Sequence, residues 1–267
     1  MTRRGPGPLA GLTVLVPRAR GQAAGLSRLL RERGAETLEV PAIEIRPVAS
    51  NAELDLALEQ LAAGRYDWLV VTSVNGVAAL RERAATPPGP AGRGAPPGRA
   101  RVAAVGPATE AALRGWGVVP DLVPKVATTA ELGRCFPPGS GEVLLARADR
   151  ANPGLGAALR AKGWRTREVV AYHTVPVGEL DPAARRRLDG GAVDWVAFTA
   201  ASTVEGFVNG YGGPPPAAVR VATIGPVTAD AARAAGMRVA ATASEHTIPG
   251  LVAAIERAAT AHRPGSG

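Results

Sequence analysis

The chain repeats itself, and an internal repeat restricts what a sequence can fold into more than any composition does. The stretch Leu30 to Val48, LRERGAETLEVPAIEIRPV, aligns without gaps on Leu159 to Val177, LRAKGWRTREVVAYHTVPV. The two share the Leu-Arg start, Gly34 and Gly163, Thr37 and Thr166, Glu39 and Glu168, Val40 and Val169, and the closing Pro-Val. Val14-Leu15 with Arg18 matches Val143-Leu144 with Arg147 at the same offset. Further along, Asp67-Trp68 and Thr72 recur as Asp194-Trp195 and Thr199, and Arg101 to Gly117 recurs as Arg220 to Gly236. The chain is a tandem duplication of one β/α unit.

Within each copy, short Val/Leu/Ile runs alternate with Ala-rich helical stretches, the pattern of a parallel sheet covered by helices on both faces. This predicts an α/β fold. Strands are expected at Thr13 to Val16, Glu36 to Val40, Trp68 to Thr72, Val102 to Val105, Asp121 to Val123, Val143 to Ala146, Thr166 to Ala171, Trp195 to Thr199, Val221 to Ile224 and Arg238 to Ala241. That is more than one sheet of usual size holds. The Pro- and Gly-rich stretches Thr86 to Arg99 and Asn209 to Pro216 read as surface loops at equivalent places. The matched segments Pro41 to Val48 and Val170 to Val177 begin as strands, run long and end at prolines, which suits a paired linker between two domains.

The length of 267 residues accommodates two domains, with 46% hydrophobic residues for their cores. Lys and Arg number 31 against 23 Asp and Glu, a net charge of +8 that suits an anionic partner. All the basic residues but Lys125 and Lys162 are Arg, so codon bias toward Arg supplies part of that charge. Cys135 is the lone cysteine, which excludes an intrachain disulfide and a thiolate metal cluster and fits a reducing compartment. The apolar stretch Leu12 to Val16 is too short for a signal sequence or a membrane span, so a cytoplasmic protein without a membrane partner is expected.

The motifs point to ligand binding at strand ends. Val-Gly-Pro-Ala-Thr at 105–109 and Ile-Gly-Pro-Val-Thr at 224–228 place Gly106, Thr109, Gly225 and Thr228 where a strand gives way to a helix. Such a helix start offers free N–H groups to an anion. Thr72-Ser73-Val74-Asn75 and Thr199-Ala200-Ala201-Ser202 gather hydroxyls and an amide at two further strand ends, with N-capping by Ser73, Asn75 or Ser202 as the simpler alternative. Arg18 and Arg147 end equivalent strands and have the fork geometry that holds carboxylates. Tyr172, one of three tyrosines, places a phenol in the second linker. No dinucleotide or P-loop glycine pattern follows a predicted strand, no nucleophile elbow is present, and His173, His246 and His262 are scattered, so no metal site and no cofactor is expected.

Taken together, VLVPRARGQAAGLSRLLRERGAETLEVPAIEI, YDWLVVTSVNGV, VAAVGPATEAAL, the Tyr172 strand, DWVAFTAAST, VATIGPVTADAARAAG and HTIPGLVAAI resemble, in order and over nearly the whole chain, the uroporphyrinogen-III synthase family. The resemblance implies two flavodoxin-like α/β domains joined by a two-stranded β linker, with the active site in the cleft between them. One domain is then residues 1–40 with 178–267, the other 49–169, and the linkers 41–48 and 170–177. It implies a monomeric, cofactor-independent lyase that closes hydroxymethylbilane into uroporphyrinogen III with inversion of the last pyrrole ring. Tyr172 matches the family's functional tyrosine. Arg18, Thr72, Ser73, Asn75, Gly106, Thr109, Arg147, Thr199, Ser202, Gly225 and Thr228 are the expected contacts to a substrate bearing eight carboxylates. Ala200 stands where relatives often have Ser, and His173 where Arg is frequent. A non-catalytic sensor closing on an acidic tetrapyrrole shares these features and is the competing reading. Nucleic-acid binding rests on pI alone, with no helix-turn-helix, finger or aromatic platform, and is not expected.

Overall fold

Runs such as TVLV, WLVV and WVAF are buried at every position, which a strand achieves only when helices cover both faces of its sheet. The structure, a computed structural model, describes residues 7–48, 52–85 and 98–261. Most of the Thr86 to Arg99 loop, His262 and the expected domain start at Ala49 lie outside the described residues. The chain begins with β1 (Thr13–Val16), α1 (Ala24–Glu32) and β2 (Glu36–Glu39). It continues through β3 (Ile43–Pro47), α2 (Ala52–Ala62), β4 (Trp68–Val71), α3 (Val74–Ala85), β5 (Arg101–Ala104) and α4 (Pro107–Arg114). Next come α5 (Thr129–Cys135), β6 (Glu142–Ala148), α6 (Gly154–Ala161) and the long β7 (Arg165–Pro176). The last part holds α7 (Pro182–Asp189), β8 (Trp195–Phe198), α8 (Ala201–Tyr211), β9 (Arg220–Thr223), α9 (Pro226–Ala234), β10 (Val239–Thr242) and α10 (Ile248–Thr260).

Two five-stranded sheets result, in the orders β10-β9-β8-β1-β2 and β3-β7-β6-β4-β5. The chain divides into two compact units, Met1–Glu44 with Val175–Gly267, and Ile45–Thr174. The first unit is therefore discontinuous in sequence, and the division falls within β3 and within β7.

Each unit has a core on both faces of its sheet. In the first, Val14 and Val16 pack on one side with Leu26, Leu30 and Ile255, while Leu15 faces Val196, Phe198 and Phe207 on the other. In the second, Leu69 and Val71 meet Leu54, Leu80 and Leu113, while Trp68 and Val70 meet Phe136, Leu155 and Trp164. The period-two alternation within each short strand sends neighbours to opposite cores.

The repeated Asp-Trp motif has a structural duty. Asp194 Oδ2 accepts the Thr13 N–H at 2.7 Å, and Asp67 Oδ2 accepts the Glu142 N–H at 2.8 Å, so in each unit the aspartate ties in the first residue of the adjacent strand. The neighbouring tryptophan is covered by a guanidinium, Arg220 over Trp195 at 5.6 Å and Arg101 over Trp68 at 4.3 Å from the ring centre.

One expected element differs. Asp121 to Val123 makes only a single bridge, Leu122 to Ala103, because Pro120 and Pro124 flank it and withhold ladder donors. The segment after Pro41, expected to begin as a strand and to pair with the 170–177 segment, holds β3, the hydrogen-bonded neighbour of β7. Strand β7 follows β6 in register until Arg147 opposite Val170, then slips so that Ala148 faces Tyr172. Such an irregularity re-aims the side chains beyond it, and Tyr172 is the first of them.

Candidate functional site

The richest polar cluster sits where β4 ends and β7 passes. Ser73 follows β4, and its Oγ accepts the Gly76 N–H at 3.0 Å, capping α3. The same oxygen lies 2.8 Å from the Tyr172 hydroxyl, so one serine both starts a helix and holds the phenol. Asn75 also hydrogen-bonds the Tyr172 side chain. Tyr172 is only 6% exposed and packs in the core that includes Val71, Val77 and Ala146. Burial pushes its pKa up, a push that the bonds from Ser73 and Asn75 oppose and the nearby Asp149 charge reinforces. The phenol is thus held in its neutral form where β4 ends.

Beside it, Asp149 Oδ2 lies 2.9 Å from His173 Nδ1, while Oδ1 accepts the Thr174 N–H at 3.2 Å. Burial raises the Asp149 pKa, but the bonds from His173 and Thr174 outweigh it and hold the carboxyl below its usual range. The Asp149 N–H in turn donates to the Tyr172 carbonyl at 3.2 Å.

The two Gly-Pro turns are built by close approach, not by unusual backbone angles. Gly106 and Gly225 are the N-cap residues of α4 and α9 in extended conformation. A Cβ at Gly106 would lie 2.5 Å from the Ala127 methyl, and one at Gly225 would lie 3.0 Å from the His246 ring. Neither helix has a side-chain cap. Thr109 and Thr228, expected to face a ligand, are instead 3% and 4% exposed. At the third position of helices lying on their sheets, both turn inward and pack.

In the first unit, Thr199 and Ser202 are partly exposed after β8. Ser202 does not cap α8: Ala200 is its N-cap, without a side-chain bond. Arg18 is partly buried beyond β1, and burial lowers its pKa. Arg147 is 9% exposed, with its guanidinium bonded to the Glu168 carboxylate and to the Asn152 carbonyl at 2.9 Å. Expected as a carboxylate fork, Arg147 already holds one from its own sheet.

These features can be set beside known proteins. A family profile described as Uroporphyrinogen-III synthase HemD matches residues 24–253. The uroporphyrinogen-III synthase of Synechococcus elongatus is 31% identical over 262 residues, covering 94% of this chain and 96% of that protein. The chain belongs to the uroporphyrinogen-III synthase family.

A further curated relative and two solved structures are similar to the chain. The porphyrin biosynthesis protein HemD of Ruminiclostridium josui is 29% identical over 234 residues, 86% of this chain, though the match spans only 45% of that relative. A crystal structure of a mutant uroporphyrinogen III synthase from the extremely thermophilic bacterium Thermus thermophilus has the same fold, with a TM-score of 0.59 at 22% identity over 93% of this chain and 98% of that one. That of the uroporphyrinogen-III synthetase from Helicobacter pylori gives 0.58 at 16% identity over 91% of this chain and 97% of that one.

Within this uroporphyrinogen-III synthase family member, the structure joins Ser73, Asn75 and Tyr172 in one hydrogen-bonded group and places Thr72 beside it in sequence. Asp149 and His246 were not singled out as site residues. The signal for Asp149 was its place just after the strand that carries Arg147. For His246 it was the repeat, in which Ala127 is the counterpart residue packed on the matching glycine.

Proposed function

We propose that this protein converts hydroxymethylbilane to uroporphyrinogen III, inverting the terminal ring as it closes the macrocycle. The observation that carries the reading is the buried Tyr172 phenol, fixed by Ser73 at 2.8 Å at the carboxyl end of its sheet, in a chain that matches the family over most of its length. The whole reaction is loss of one water and rearrangement of carbon–carbon bonds. The departing hydroxyl takes a proton and leaves as water, giving an azafulvene cation. The substituted carbon of the last ring attacks it to form a spiro intermediate, which fragments and recloses inverted, returning a proton. No electrons leave the substrate, so the chemistry calls for no redox cofactor.

Tyr172 suits the first step as a hydrogen-bond donor to the leaving hydroxyl. Its raised pKa makes it a weak acid, and its main service is orientation, with partial proton transfer in the transition state. The strand ends at Thr72, Ser73, Asn75, Gly106, Thr199, Ser202 and Gly225 supply hydroxyls, an amide and backbone N–H groups for substrate carboxylates. Thr109 and Thr228 serve by packing these turns, and Arg147 by fixing the end of β6. Most of the rate then comes from holding a flexible linear substrate in the conformation that closes with inversion. The same reading places a monomer in the cytoplasm, acting on a small molecule with no nucleic-acid or membrane partner.

Hydroxymethylbilane supplied to the purified chain tests this, with the I and III isomers separated after oxidation. The III isomer is expected. Formation of the I isomer alone, at the spontaneous rate, overturns the reading and favours binding without turnover.

A further inference from the structure

Strand β7 breaks its own alternation at the point where it delivers the phenol. Val169, Ala171 and Tyr172 all lie in one core, so two consecutive side chains share a face of the sheet. The pairing with β6 explains this: Arg147 stands opposite Val170 and Ala148 opposite Tyr172, which makes Ala171 an extra residue. Such a bulge leaves its extra residue outside the ladder, and a strand that slid back by one residue would turn Tyr172 to the opposite face. The direction of the phenol therefore depends on what holds the bulge.

Asp149, the first residue after β6, grips β7 directly beyond that extra residue. Its N–H donates to the Tyr172 carbonyl at 3.2 Å, its Oδ1 accepts the Thr174 N–H at 3.2 Å, and its Oδ2 lies 2.9 Å from His173 Nδ1. Three consecutive residues of β7 are thus tied to one. Oδ1 also accepts the Arg150 N–H at 3.1 Å, which fixes the carboxylate itself. The carboxyl is ionised at neutral pH and can only accept, so His173 Nδ1 carries the proton between them. The first unit has no such grip: the repeat puts Arg20 at the place of Asp149, Ile43 at that of Tyr172 and Glu44 at that of His173. Clamp and tyrosine occur together in one copy and are both missing from the other.

We propose that Asp149 is a positioning residue for Tyr172: by pinning residues 172 to 174 of β7 it holds the Ala171 bulge in place and so fixes the direction of the phenol. The inference rests on the proposed function for the reaction that Tyr172 serves. Asp149 exchanges no proton in this role. Its charge nevertheless reaches the phenol. Burial is the main cause of the raised Tyr172 pKa, Ser73 and Asn75 face the hydroxyl from the start of α3 as uncharged groups that oppose it, and the Asp149 carboxylate adds to it.

A double-mutant cycle separates positioning from general support of the fold. Asp149→Ala should lower kcat by about 10-fold, and by no more than Tyr172→Phe does, with KM little changed. In a Tyr172→Phe background it should cost almost nothing, because no hydroxyl is left to aim. His173→Ala removes one bond at a partly exposed position and should show a smaller loss of the same non-additive kind, so the test stands even if Asp149→Ala fails to fold. Asp149→Asn still offers an oxygen to Thr174 and an amide to the other His173 tautomer, and kcat should recover. Without the charge, the phenol should ionise at lower pH than in the wild type, read without turnover as the tyrosinate absorbance that Tyr172→Phe lacks. Equal losses in the wild-type and Tyr172→Phe backgrounds, or a phenol titration unmoved in Asp149→Asn, overturn the assignment. Wild-type kinetics in Tyr172→Phe leave nothing to position and overturn it as well. A chain that makes uroporphyrinogen III through Tyr172 but is indifferent to Asp149→Ala sinks only the role of Asp149. A chain that makes none sinks the proposed function and the assignment with it.

Discussion

The proposed mechanism concentrates its chemistry in Tyr172, and the environment of that side chain makes definite demands. Removing its hydroxyl by Tyr172→Phe should lower kcat by up to about 10²-fold, because a positioned acid contributes roughly 10²–10⁴ and orientation by the rest of the site survives. Unchanged kinetics would take Tyr172 out of the mechanism. Since burial raises its pKa, the phenol stays protonated through neutral and mildly alkaline pH. The contribution of Tyr172 to activity is present below that raised pKa and lost as pH rises through it, so the alkaline limb should lie above the ordinary value of about 10. A pH–rate profile comparing the wild type with Tyr172→Phe reads this directly. For Asp149 the sign is opposite: its pKa is depressed, so its stabilising effect is present above the usual carboxylate range and disappears as pH falls through the folded value. Tyr172 was legible in the sequence because few phenols compete with it. Its bond to Ser73 was not, because that contact depends on the slip in β7 register, which leaves no mark on residue type.

The strand-to-helix turns decide how the elements are joined, and the two copies should tolerate change differently. Gly106→Ala drives a methyl against the Ala127 methyl and should destabilise the fold by about 1–3 kcal/mol, as overpacking does. Gly225→Ala meets the edge of the His246 ring, a side chain able to rotate away, and should cost less. Urea unfolding of the two variants gives the comparison; equal costs would contradict it. Ser73→Ala should also cost about 1 kcal/mol through the lost α3 cap, before any effect on Tyr172. Most strands could be read from their buried apolar runs. The one that resisted was Asp121 to Val123, where flanking prolines cut pairing to one bridge. Whether Ser73 or Ser202 caps a helix was open on residue type alone; the structure puts Ser73 at the start of α3 and its repeat counterpart Ala200 at the start of α8, while Ser202 aligns with Asn75 inside the first turn.

For the whole molecule, duplication explains both the number of units and the path between them. The first copy's opening strands β1 and β2 share a sheet with β8, β9 and β10 from the end of the chain, so the repeat boundary and the unit boundary differ. Repetition also made the asymmetries readable, because a residue that departs from its counterpart stands out against an internal reference. The net charge of +8 fits a polycarboxylate ligand, and kcat/KM should fall as ionic strength rises through the physiological range. The most direct test of the functional account is the isomer composition of the tetrapyrrole formed from hydroxymethylbilane. Uroporphyrinogen III, produced faster than spontaneous closure, is the predicted outcome; uroporphyrinogen I alone, at the uncatalysed rate, would contradict it.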